Sequence, residues 1–84
     1  MATSSTSYSV IERSDLGPDV TIVTVEEVRR FSLQATSRQV FTLVSHADGS
    51  DRLVVPNGQV LRFLDRGDLP ARFQAVLDFM VENV

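Results

Sequence analysis

Side chains able to do chemistry are scarce in this chain, and those present do not cluster. There is one histidine, His46, and no cysteine. All eight basic residues are arginines, at positions 13, 29, 30, 38, 52, 62, 66 and 72, and lysine does not occur. Schiff-base chemistry, a phosphate-loop lysine, a thiolate nucleophile and a cysteine zinc site are thereby excluded. His46 stands just before a turn with no second imidazole to share a metal. It reads as a solvated residue at a strand end, able to respond to pH near neutrality.

Carboxylates offer little more. Acid and base catalysis or metal binding needs acids that converge, and Glu26 and Glu27, adjacent on an expected helix, point in different directions. The run Asp48-Gly49-Ser50-Asp51 has the outline of a calcium loop. That loop requires acids at alternate positions and a closing glutamate, which Val54 to Gln59 does not supply, so the run reads as a turn. Asp65 and Asp68 flank Arg66-Gly67 and are accounted for as helix-end and cap residues. No glycine-rich dinucleotide or phosphate loop and no nucleophile elbow is present. The expectation is a non-catalytic chain with no catalytic residue, metal site, cofactor or small-molecule substrate.

The elements that would present such a surface can be read from patterning. Eighty-four residues make one domain. Residues 1–6 read as a small polar tail and 7–84 as a single folded unit. With 43% hydrophobic and 23% charged residues the composition is that of a folding chain. A chain this short buries only about 60 to 65% of its unfolded surface, which makes dimerisation or docking on a partner an expected source of stability. The absence of cysteine, of a signal-peptide pattern and of any run of about 20 apolar residues points to a cytoplasmic address without membrane contact.

Ser7 to Arg13 and Val20 to Val25, separated by the turn residues Asp15-Leu16-Gly17-Pro18-Asp19, predict a hairpin. Thr24 and Glu27 fit a capping box and predict a short helix from Val25 to about Leu33, with Val28 and Phe31 inward. Gln39 to Val44 and Arg52 to Val55, joined across Ala47-Asp48-Gly49-Ser50, predict a second hairpin. Their continuous apolar runs suggest strands covered on both faces, one by helices and the other by a partner. Pro56-Asn57-Gly58 is either a tight turn leading to a further strand or a cap for a helix over 58–66, and the helix is the preferred reading. Asp68 and Pro70 then open a terminal helix whose Leu69, Phe73, Val76, Leu77, Met80 and Val84 form one stripe, with Phe79 at its flank.

The expected fold is α+β, a small and mostly antiparallel sheet of about four strands packed against a C-terminal amphipathic helix. The expected function is a protein-binding module: an adaptor, inhibitor or regulatory subunit that engages another protein, or its own copy as a homodimer, through an uncovered sheet face or edge. Arg29, Arg30 and Arg38 would make charge-assisted contacts and Phe79 would be the apolar anchor. The rival expectation is a DNA-binding regulator in which 24–45 forms a helix-turn-helix, with a second helix over 37–45 and the same three arginines meeting phosphate or base edges. A net charge of −3 opposes that reading.

Overall fold

From Val20 onward the chain alternates between two residue sets, Ile22, Thr24, Glu26 and Val28 on one side and Val23, Val25 and Glu27 on the other. An extended backbone turns a period of two into two faces. The computed structural model, which describes residues 4–31 and 35–84, carries this pattern through an antiparallel sheet whose five strands lie side by side in chain order. They are β1 (Ser5–Asp15), β2 (Val20–Arg30), β3 (Thr36–His46), β4 (Asp51–Val54) and β5 (Val60–Phe63). Short 3₁₀ turns at Arg66–Asp68 and Ala71–Phe73 lead into helix α1 (Gln74–Glu82). The fold is α+β, with one strand beyond the expected count.

That strand replaces the helix expected over 58–66. In the β4–β5 connection Gly58 adopts φ +88°, the Gly58 N–H reaches the Val55 carbonyl at 2.8 Å, and Asn57 Oδ1 accepts the Gln59 N–H at 2.9 Å. Asn57 therefore shapes a hairpin turn rather than capping a helix.

The helix expected over 25–33 is also absent as far as Phe31, and residues 32–34 lie outside the described residues. Strand β2 continues instead to Arg30. Thr24 Oγ1 lies 3.4 Å from Thr42 Oγ1 on the neighbouring strand, and Glu27 turns into the core, so neither residue of the presumed capping box is at a helix start. The β-branched run decides the conformation once β3 is there to pair with it. The segment 37–45 belongs to β3, so 24–30 and 36–45 are paired antiparallel strands rather than the two helices of a helix-turn-helix. Strand β1 begins at Ser5, inside the expected tail, of which residues 1–3 lie outside the described residues.

One face of the sheet is covered by α1. Val23, Val25, Phe41, Leu43, Leu53, Val55 and Phe63 from the sheet meet Leu69, Phe73, Val76, Leu77 and Met80 from the C-terminal segment. The expected stripe is thus the buried one, except that Val84 lies exposed beyond the helix end. Asp68 does not cap α1. Asp65 Oδ1 instead accepts the Gly67 N–H at the first 3₁₀ turn, and α1, with Phe73 in the N-cap position, has no side-chain cap. The other end is tied to the sheet, since Arg13 Nε donates to the Asn83 carbonyl at 3.1 Å, where a cation also complements the helix dipole. Among the described residues no helix is long and apolar enough to cross a membrane.

Candidate functional surface

Strand register fixes which side chains share the second face. In one row across the sheet stand Ser14, Ile22, Val44, Arg52 and Arg62, and in the next stand Glu12, Thr24, Thr42, Val54 and Val60. Further along the long strands come Ser9, Glu26 and Val40, then Ser7, Val28 and Arg38. The middle of this face is aliphatic and Thr-rich. Val40 is 44% exposed and Val60 49%, while Ile22, Thr24, Thr42, Val44 and Val54 are half-buried by their neighbours alone. No described element packs over it, because α1 and the 3₁₀ turns lie on the opposite side.

Charge on this face is unevenly placed. Arg52 and Arg62 are direct cross-strand partners at the β4–β5 end. Counting ladder bonds outward from the Val55 N–H to Gln59 carbonyl bond makes Arg52 and Arg62 a non-hydrogen-bonded pair, the kind whose side chains stand closest. Among the described residues neither guanidinium has an acidic partner within 4.0 Å. Beside them an open cleft of about 450 Å³ is lined by Ser50, Asp51, Phe63, Leu64 and Asp68 as well as the two arginines. At the opposite lateral end Glu12 is exposed on β1, next to a bulge that leaves Ile11 unpaired. The sheet face is therefore basic along one edge, acidic at Glu12 toward the other and aliphatic between, with Glu26, Arg30 and Arg38 at the far end of β2 and β3.

The arginines singled out from sequence are split by the pleat. Arg30 and Arg38 lie on the uncovered face, where Arg38 is tied to Glu26 at 3.4 Å. Arg29 projects to the helix side, its Nε 2.8 Å from Glu27 Oε1. The N–H is not aimed along a hydrogen-bond direction, so Oε1 accepts no hydrogen bond despite that proximity. Phe79 stacks on Tyr8 with ring centroids 5.5 Å apart, which makes it a flank of the core on the helix side. The four residues do not form one patch.

Compared with protein-family models, curated proteins and solved structures, the chain matches none.

Acidic groups are committed elsewhere. Asp48 Oδ1 accepts both the Ser50 N–H at 2.9 Å and its hydroxyl at 2.6 Å, bonds that hold its carboxyl below the usual carboxylate range, and Gly49 at φ +88° completes the turn. Asp51 Oδ1 accepts the His46 N–H at 3.1 Å. Among the described residues no three of His, Asp and Glu converge on a point able to hold a metal ion. Sequence reasoning missed Glu12, Arg52 and Arg62 as members of one surface. Alternation within β2 and β3 was the available signal, but the β4–β5 register that places Arg52 against Arg62 exists only once Pro56-Asn57-Gly58 is a turn.

Proposed function

We propose that this chain is a non-catalytic protein-binding module whose working surface is the uncovered sheet face. The partner surface it fits is flat and aliphatic at the centre, with acidic groups to meet Arg52 and Arg62 and basic groups to meet Glu12. One observation carries the reading: a sheet with an apolar face on each side has only one of them covered by its own helix. A two-layer domain normally buries the apolar side of each element, and a contiguous aliphatic face rimmed by charge is the usual mark of a protein interface. Arginines are favoured in such contacts because a guanidinium is weakly hydrated and bonds carboxylates in a fork. Nucleic acid suits this face less well, since Glu12 and Glu26 stand among its arginines and would repel phosphate.

The test is capture from cells of the native host using the wild-type chain, Thr42→Arg on the face and Val81→Arg on the exposed side of α1. Partner retained by the wild type and the helix variant but released by Thr42→Arg supports the reading. Equal retention by all three, or retention abolished by RNase or DNase, overturns it.

A further inference from the structure

Charge and shape on the uncovered face suit one partner in particular, and we infer that it is a second copy of this chain. The inference rests on the protein-binding reading and names the partner of that same surface. Strand order is the starting point. With β3 in the middle of a five-strand sheet, a twofold axis lying in the interface along β3 sets β1 of one copy over β5 of the other. The acidic lateral end then lies over the basic one, twice. Glu12 occupies the row of Val60, one step from Arg62, so each Glu12 comes within reach of the partner's Arg62.

Groups nearest the axis meet their own equivalents, and those groups are Arg38, Val40, Thr42 and Val44 on β3. The last three are neutral and of similar size, as a self-contact requires, and Arg38 comes to the axis already tied to Glu26 at 3.4 Å. Ile22 and Thr24 on β2 fall over β4 of the partner in the rows of Arg52 and Val54, so Ile22 meets the aliphatic stem of Arg52 and Thr24 meets Val54. Two sheets stacked in this way form an aligned sandwich about 10 Å apart, each still backed by its helix. With β1 over β5 and β2 over β4, the overlap is β3 and a four-residue length of each other strand, on the order of 400 Å² in projection, using about 3.4 Å per residue and 4.8 Å between strands. That is about half of the roughly 800 Å² per partner of a standard specific interface and belongs to a weak, concentration-dependent dimer. Arg62, which among the described residues has no acid within 4.0 Å, acquires Glu12 across the axis.

Light scattering during size-exclusion chromatography, over a hundredfold range of protein concentration, tests this directly. The expected mass at the upper end is twice the 9.3 kDa of the chain. Val44→Arg and Thr42→Arg each place like charges against themselves at the axis, and each should give the single-chain mass, with circular dichroism confirming that the sheet persists. Charge exchange adds a second readout that does not depend on core packing. Arg62→Glu and Glu12→Arg alone should each weaken the dimer about tenfold, and the double variant should recover most of that loss. A wild-type chain that stays single at every concentration overturns the inference; if the Thr42→Arg-sensitive partner captured from cells is then a different protein, the face reading itself still stands. A dimer indifferent to Val44→Arg and to the charge exchange also overturns the inference, because it would be joined through strand edges.

Discussion

Tyr8 stands directly opposite Glu27 across β1 and β2, its ring stacked on Phe79 and its phenol hydrogen-bonded to the buried carboxylate. Glu27 is 2% exposed. A buried carboxylate needs compensation, and here it comes from the Tyr8 phenol and from the charge of the Arg29 guanidinium, whose Nε lies 2.8 Å from Oε1. The pairing joins β1, β2 and α1 on the helix side of the sheet.

The same arrangement gives a pH dependence. Burial, and then the charge of Glu27 and the hydrogen bond to it, raise the Tyr8 phenol above its ordinary value of 10.0, against a smaller opposing effect of Arg29. A group whose folded value is raised contributes stability that is fully present below the unfolded value and is lost as pH climbs through the folded one. Urea unfolding should therefore show this contribution intact up to about pH 10 and declining above it. Tyr8→Phe should remove that alkaline decline; an unchanged decline would assign it to other groups.

Core substitutions on α1 should be severe. Leu77 and Met80 are fully buried against Val23, Val25, Leu43 and Leu53. Truncating either to alanine costs about 2 to 5 kcal/mol where the cavity cannot collapse. A domain this small has a stability of only about 5 kcal/mol, so Leu77→Ala should retain about 0 to 3 kcal/mol and melt far below the wild type. Val81→Ala, on the exposed side of the same helix, should shift the melting temperature by no more than a few degrees. The contrast can be read by thermal melts followed by circular dichroism.

Much of the fold was legible from local pattern, and its failures share a cause. Both hairpins and the buried stripe of α1 follow from β-branched runs, turn residues and helical spacing that need no knowledge of neighbours. The stretch from Thr24 to Arg30 was misread because its capping-box pattern is a local signal, whereas the partner that overrides it, Thr42 with the rest of β3, is distant in sequence. Asn57 was misread for a similar reason, since its side chain serves a helix cap and a hairpin turn equally well until the positive φ of Gly58 selects the turn. The candidate surface was less legible still. Arg29 and Arg30 are neighbours in sequence but lie on opposite faces, while Arg52 and Arg62, ten positions apart, stand side by side.

Two glycines separate backbone strain from crowding. Gly58 has φ +88° with nothing within 4 Å of where a Cβ would sit, so Gly58→Ala is penalised by conformation alone, about 1 to 2 kcal/mol. Gly67 has no positive φ, and its added Cβ would meet Asp65 Oδ1 at 3.4 Å, an ordinary contact. Gly67→Ala should accordingly lie within about 0.5 kcal/mol of wild type. Denaturant midpoints for the two variants check this, and equal values would contradict the hairpin geometry assigned to 56–58.

Arg52 and Arg62 face each other as like charges on adjacent strands, an arrangement that costs stability unless an acid from elsewhere lies between them. In the isolated chain, Arg62→Thr should raise the unfolding free energy by about 0.2 to 1 kcal/mol, because it removes the repulsion and leaves a residue suited to a strand. The gain should shrink as salt rises from 10 mM toward 1 M, where screening shortens from about 30 Å to about 3 Å. At high protein concentration the sign should reverse, since the dimer uses Arg62 against Glu12 and the variant forfeits that contact. Unfolding midpoints measured at low and high concentration for wild type and Arg62→Thr should therefore cross. Parallel shifts at both concentrations would mean that the arginine pair has no counterpart across the face.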